Sequence, residues 1–381
     1  MKTEIKIAFK NFFGGGIKTW LNSVAISVAF VFIIFYNGMI DGWNQQALKD
    51  AIDWDYGYGH LIHKNYDPFD IFTISKSHEA ITKDLTENLT PVLLGQGNII
   101  VNDLAYPILI KGIDPNQNIV KIPTTNLKNN TAVIGSKMAS ECDLKLGDSI
   151  KIQYFNFSGE VDTASFKIVE IFNTNVPFVD NGQIWISIDD LNKMLGTHNH
   201  ATYFIAHKNF ENINSQTWKF ISQEELTKPM QELINTKKVG AAIIYILLLA
   251  IGLMVIYDTI ALAIFRRQKE IGTLAALGLT QKEILRIFII EGICYCIGGI
   301  IIGLIYGIPL FYYLSKYGIS FPVSGDSLGI IMAPTIYSVY SFELIANTIL
   351  ILLLSSAFIS YLAAKKITKM NIVDSLKGKA L

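Results

Sequence analysis

Four stretches without a charged residue dominate the pattern of apolar and polar positions: Thr19 to Ile40 (22 residues), Val239 to Tyr257 (19), Gly292 to Ser315 (24) and Leu344 to Ala364 (21). A bilayer's hydrocarbon core is about 30 Å thick and takes about 20 apolar residues to cross as a helix, so each stretch predicts a membrane span. Their spacing is uneven: one span, a long polar insert, then three spans close together. This predicts an α-helical membrane protein with four transmembrane helices (1 + 3) and a large α+β extracytoplasmic domain inserted between the first and second helices. Lys2, Lys6, Lys10 and Lys18 precede the first span, as in a secretory signal. Its apolar run exceeds the roughly 7 to 15 residues of a signal core, and no A-x-A cleavage pattern follows, so it reads as an uncleaved anchor.

Within the insert, GHLIHK at 59–64, NIIV near Ile100, YPILIKGI near Ile110, SFKIVEIF near Val169, QIWISI near Trp185 and ATYFIAH near Phe204 have the composition of strands. Helices are expected between them, at Lys76 to Leu89, Ser136 to Cys142, Ile188 to Leu195, and from Ser215 into the second span. At the N-terminus Ile5, Phe9 and Phe12 fall within about 60° on a helical wheel beside Lys2, Lys6 and Lys10, which suits an amphipathic helix at the headgroups. A lysine-rich flank that enforces topology accounts for the lysines equally well.

Composition agrees with a membrane protein: 51% of residues are hydrophobic and 17% charged, with a mean hydropathy of +0.36. The net charge of zero argues against a nucleic-acid partner, but the charges are segregated. Residues 1–18, 266–286 and 365–381 hold 14 Lys/Arg against 4 acidic residues, whereas 39–236 holds 15 lysines against 24 carboxylates. By the positive-inside rule both termini and the loop between spans two and three face the cytoplasm, and the insert faces out. The plan is then a cytoplasmic amphipathic segment at 1–16, spans at 17–40, 237–265, 287–315 and 344–364, and a periplasmic α+β domain at 41–236. A cytoplasmic loop at 266–286, a short periplasmic loop at 316–343 and a cytoplasmic tail at 365–381 complete it.

Candidate chemistry is sparse. Cys142, Cys294 and Cys296 read as packing residues, and no catalytic spacing occurs. His198 and His200 form an H-x-H expected on one strand face, yet no cysteine or carboxylate with ligand spacing accompanies it, so no metal is assigned. Gly299, Gly303 and Gly307 recur every fourth residue and leave one face of the third span bare for close approach, either to a second copy or within the subunit. Asp258 and Glu291 are costly near lipid and are expected to face protein or water.

The loop FRRQKEIGTLAALGLTQKEILRIFIIE at 265–291 is the richest segment. Gly278 suits the left-handed position after a helix, and Thr280 with Glu283 matches a capping box, so a folded elbow of two short helices is expected. It could face a cytoplasmic partner or lie on headgroups with Arg266, Arg267 and Lys269 touching anionic lipid.

RRQKEIGTLAALG at 266–278 resembles the R-x-x-E-I-G-x-L-x-A-L-G signature of the FtsX-like permease domain of type VII ABC transporters, the MacB-like superfamily. The resemblance continues through Glu291, Gly298, Gly299 and Gly303 and the closing AAKKITKMNIVDSLKG, which lacks the family's proline. GYGHLIHKNY at 57–66, KGIDP at 111–115 and IGSKMASECDLKLGDSI at 134–150 resemble, in order, motifs of the lipoprotein-releasing LolC/LolE subgroup. The segment matching that subgroup's carrier-gripping hook, QYFNFSGEVDTASF, is short and has no proline.

The resemblance implies a transport subunit, not an enzyme, in the bacterial inner membrane, with lipoprotein extraction and transfer to a periplasmic carrier as its task. A MacB-like mechanotransmission or efflux permease and an FtsX-like scaffold for cell-wall hydrolases are the alternatives. No G-x-x-x-x-G-K-[ST] loop is present, so ATP and Mg are expected on a partner ATPase, with no cofactor bound by this chain. The implied partners are that ATPase, a second permease copy or paralogue, membrane lipid, a lipoprotein substrate and, where the subunit docks it, a carrier. The implied ATPase-coupling residues are Arg267, Glu270, Ile271, Gly272, Leu274, Ala275, Leu277 and Gly278.

Overall fold

The computed structural model describes residues 2–82, 85, 88–101, 104–174, 176–210, 215–320, 335–365 and 367. The chain opens with α1 (Lys2–Gly14) and α2 (Ile17–Ala51), between which Gly16 takes the left-handed φ of +60° that lets the backbone turn. One π-helical turn (Ile52–Tyr56) follows. Next come β1 (Gly59–His63), a 3-10 turn (Ile71–Lys76), β2 (Glu79–Ala80), β3 (Leu89–Val101), β4 (Leu104–Ile113), β5 (Thr131–Gly135) and α3 (Ser136–Glu141). They are followed by β6 (Ser149–Phe155), β7 (Val161–Phe172), α4 (Pro177–Asp180), β8 (Gln183–Ser187), α5 (Ile188–Leu195), β9 (His200–Ala201), β10 (Tyr203–Ala206) and β11 (Trp218–Ser222). The last part holds α6 (Gln223–Arg266), α7 (Gln268–Ala276), α8 (Gln281–Tyr317), β12 (Ile319–Ser320), β13 (Thr335–Ile336) and α9 (Phe342–Ala364). Two compact units divide these elements, one spanning Gln45–Ile234 and the other taking the described residues up to Asn44 and from Asn235 onward.

The first unit is built on a nine-stranded sheet of order β11-β1-β10-β3-β4-β8-β5-β7-β6. β3 is long enough to pair with β10 through Leu89–Val92 and, further along, with β6 through Gly97–Ile100, so the six strands β3-β4-β8-β5-β7-β6 close on themselves. Only β4–β8 and β5–β7 pair in parallel within that sheet. Successive side chains point to opposite faces of a strand, and the buried residues sort accordingly. Leu93, Ile110, Ile134, Ile184 and Ile186 join one core with Leu191 of α5, while Val92, Leu94, Val133 and Trp185 join another with Tyr203 and Ile205.

The six expected strands are all in this sheet, and its other three, β5, β6 and β11, are not singled out by periodicity. The helix expected at Lys76 to Leu89 does not form among the described residues: the 3-10 turn stops at Lys76, β2 pairs with β9, and β3 begins at Leu89. The helix leading to the second span starts at Gln223, because Trp218–Ser222 is claimed by pairing with β1.

In the helical unit α2, α6, α8 and α9 are each long and apolar enough to cross a membrane. Helix α8 lies among the others. Its glycine face is covered by α2: a Cβ at Gly299 would stand 2.7 Å from Ile26, one at Gly303 2.7 Å from Phe30, and one at Gly307 3.1 Å from Val31. Backbones that approach this closely gain packing that lipid cannot provide. On α9, Thr348, Ser356 and Ser360 return their hydroxyls to carbonyls of their own helix at 2.7, 2.9 and 2.6 Å, so these three buried donors are satisfied within the helix. Ile243, Leu247, Ile251 and Met254 leave an exposed apolar stripe on α6, suited to hydrocarbon.

Helix α1 corrects one detail. Ile5 and Phe9 are exposed as expected, but Phe12 turns inward against Tyr295, with ring centroids 5.6 Å apart, and Phe13 completes the exposed apolar row. Spacing of four rather than three aligns Ile5, Phe9 and Phe13, while Ala8 and Phe12 serve the packed side.

Candidate functional site

Between α6 and α8 the chain makes a rigid elbow. Arg267 leaves helical geometry, α7 runs for nine residues, and Gly278 takes φ +96°. The amide of Gly278 donates to Ala275 O at 3.1 Å and that of Leu279 to Leu274 O at 3.1 Å, the paired bonds of a Schellman stop. Thr280 then caps α8: its side chain accepts from the Glu283 amide, and the Glu283 carboxylate accepts from the Thr280 amide at 2.8 Å. Both punctuation marks fall where Gly278 and the Thr280/Glu283 pair predict them. The second helix of the elbow, however, is not short, since α8 continues to Tyr317 through the third long apolar stretch.

Helix α7 is two-sided. Gln268, Ile271 and Gly272 are buried, and Leu274 and Ala275 pack partly against the helical core. Lys269, Glu270, Thr273, Ala276, Leu277 and Gly278 are exposed, with Leu277 exposed to 74%. Of the residues implied for coupling, Ile271 and Gly272 therefore hold the helix in place, and Glu270, Leu277 and Gly278 are the ones presented outward.

Arg267 pins the elbow. Its Nε donates to Glu270 Oε2 at 2.8 Å and its Nη1 to Glu291 Oε2 at 3.1 Å. With the Asn11 amide turned so that its oxygen faces the guanidinium, Nη2 donates to it at 2.6 Å. The guanidinium also lies 5.4 Å from the Phe288 ring centroid. Glu291 is almost fully buried and accepts a second bond from Tyr295 Oη at 3.1 Å. One arginine thus ties α1, α7 and α8 together, and a carboxylate that would be costly alone in an apolar core is satisfied. This role is absent from a linear motif; the readable clue is that Glu291 needs a cation and the elbow returns Arg267 toward it. Asp258 stands apart, exposed on α6 with no ion pair among the described residues.

In the sheet unit, the segments 57–66 and 111–115 both reach Asp55, which precedes the first of them. Lys111 of KGIDP donates to Asp55 Oδ1 at 2.7 Å, both side chains being buried, and lies 4.7 Å from the Trp185 ring centroid. His60 Nε2 is 3.1 Å from Asp55 O, and burial holds its imidazole pKa below the usual value of 6.5. His198 and His200 do not share a strand face: β9 begins at His200, and Asn199 between them takes φ +54°. His200 instead meets His78, Nδ1 to Nδ1 at 2.8 Å, and His78 stacks on Phe157. Among the described residues no three His, Cys, Asp or Glu side chains are placed to hold a metal ion.

Residues 242–372 match the model of the FtsX-like permease C-terminal family. The chain is 25% identical over 256 residues to the uncharacterized ABC transporter permease MJ1507 of Methanocaldococcus jannaschii, a match covering 62% of this chain and 59% of that protein. It is 24% identical over 353 residues to the lipoprotein-releasing system transmembrane protein LolC of Buchnera aphidicola, covering 83% of this chain and 84% of the relative. Among solved structures, the periplasmic region of MacB from Actinobacillus actinomycetemcomitans aligns with a TM-score of 0.29 at 9% identity, over 46% of this chain and 94% of that one.

Proposed function

We propose that this chain, an ABC transporter permease of the FtsX-like type, extracts lipoproteins from the inner membrane under the drive of a separate ATPase. The observation that carries the mechanical part of the reading is the two-sided α7. A helix whose inner edge is fixed by Ile271, Gly272 and the Arg267 pin, and whose outer edge presents Glu270 and Leu277, is built as a handle. An ATPase gripping it moves α8 with it, because the Schellman stop and the capping box leave little slack between the two helices.

The substrate class follows from the likeness to LolC along most of the chain, and from what the work requires. A 16-carbon acyl chain is held in a bilayer by on the order of 12 kcal/mol, at about 0.8 kcal/mol per CH₂. Release into water at that cost is too slow to be useful, so ATP-driven movement must pass the chain to a second apolar surface. Charge segregation supports a reading in which the elbow faces the cytoplasm and the ATPase, and the insert faces out, where a carrier would receive the lipoprotein.

The test is reconstitution of the permease with its ATPase and a triacylated lipoprotein in vesicles. Leu277→Glu and Glu270→Gln, the second of which keeps an oxygen to accept from Arg267, should each cut ATP-dependent lipoprotein release at least tenfold while the chain inserts and unfolds as the wild type does. Undiminished release in both variants would remove the handle from the mechanism, and ATPase-dependent activity without any lipoprotein release would remove the substrate assignment.

A further inference from the structure

The helical unit contains a cavity of about 650 Å³ between α1, the start of α2, the end of α6 and α8, a size within the range of about 300–1,000 Å³ usual for ligand sites. We propose that it binds the phosphate of an anionic phospholipid, held by Lys10 and Arg266 with the amide of Asn22.

Depth is the first argument. The cavity is lined by the first turns of α2 and by α6 from Thr259 to Arg266. α2 begins at Ile17 and α6 stops at Arg266, so the mouth lies where two spans leave the apolar slab, at headgroup level, whichever side of the membrane that is. At 1.5 Å per residue, Thr259 to Arg266 carries the wall roughly 10 Å deeper, toward acyl chains.

Charge is the second. Three cations and two carboxylates line the cavity: Lys10, Arg266, Arg267, Glu270 and Glu291. Arg267 is committed to both carboxylates. Lys10 and Arg266 are exposed, and neither forms an ion pair among the described residues. The half-buried Asn22 side chain likewise has no hydrogen bond among the described residues, and its amide is a donor suited to a phosphate oxygen. The surplus of the wall is therefore positive, and an anion is the group that completes it.

The rim selects the source of that anion. Leu21 and Leu262 line the cavity and are exposed, and Trp20 and Phe265, which adjoin the lining residues Leu21 and Arg266 in the chain, are exposed as well. An apolar rim with aromatic residues at headgroup depth accommodates glycerol and acyl chains, which a free phosphate does not have. Basic pockets between spans at a membrane surface are suited to anionic headgroups. The inference needs only that the spans cross a bilayer, and stands or falls apart from the lipoprotein reading.

The experiment is to reconstitute the full chain in vesicles of equal parts phosphatidylcholine and phosphatidylglycerol, extract it in detergent, and count retained lipids by mass spectrometry. Wild type should retain phosphatidylglycerol over phosphatidylcholine. Each basic residue near the surface is expected to contribute about fivefold, so K10A/R266A should lower that enrichment at least tenfold and K10R/R266K should restore most of it. Asn22→Leu, which leaves all charges in place, should lower it as well. Equal enrichment in wild type and K10A/R266A overturns the site. A thermal shift with inorganic phosphate alone, as large as with phosphatidylglycerol, would reassign the pocket to a soluble phosphate ester and overturn the lipid.

Discussion

Replacing Arg267 by Met leaves Glu291 buried beside Tyr295 without its ion-pair partner, while Glu270 on the surface is resolvated by water. Breaking a buried pair from one side typically costs about 3–5 kcal/mol, most of it the stranded charge. R267M should therefore destabilise the helical unit by about 3 kcal/mol in detergent unfolding, and the double variant R267M/E291L should recover most of the loss. If the single and double variants unfold alike, the pair has no special weight. In the sheet unit His60 is a second buried polar group, whose pKa burial lowers below 6.5. In that situation the unfolded chain takes up the proton first, so stability is full above pH 6.5 and falls as pH drops through it. After division by the intrinsic amide exchange rate at each pH, the protection of β1 in the full chain should fall as pH drops below 6.5, and His60→Gln should flatten that dependence. The chemistry of both residues was evident in their letters, but their partners were not. Asp55 and Lys111 are 56 positions apart, and only the closure of β1, β3 and β4 onto one sheet brings them to 2.7 Å.

At the scale of elements, local rules read well wherever the controlling interaction is short in sequence. The capping box at Thr280 and Glu283, the left-handed Gly278 and the helices α3 and α5 are all set within about six residues, and all stand where they were expected. The segment from Lys76 to Leu89 fails by the same logic, because β2 is held by β9, more than a hundred residues away. The glycine face of α8 lies between these cases: its spacing announces a close approach without naming the visitor, and α2 is the visitor within the chain. The contacts rank the substitutions. Gly303→Leu drives a side chain into Phe30 and Ser27 and should cost at least about 3 kcal/mol, whereas Gly307→Ala meets Val31 at 3.1 Å and should cost less than about 1.5. Thermal unfolding of the purified variants measures the order, and a reversal would show that the face repacks freely.

At the scale of the whole molecule the decisive question is sidedness. Charge segregation predicts that Leu277→Cys in intact cells reacts with maleimide only after the membrane is permeabilised, while Lys208→Cys reacts at once. The reverse pattern would put the elbow outside and end the coupling account. An ATPase that works on one face and a substrate released at the other are compatible only with the predicted order.

What the amino-acid sequence determined by itself is the set of four long apolar helices, their 1 + 3 order along the chain, the elbow and the signature that marks it. Each depends on bilayer thickness or on backbone geometry over a few residues, quantities that a linear string encodes directly. Tertiary structure alone decided that six strands close around a core, that α2 fills the glycine face, and that Arg267 joins three helices at Glu291. These arrangements follow from the burial of groups distant along the chain. Many pairings could satisfy a buried charge or a bare helix face, and the one adopted is the one that packs all of them together.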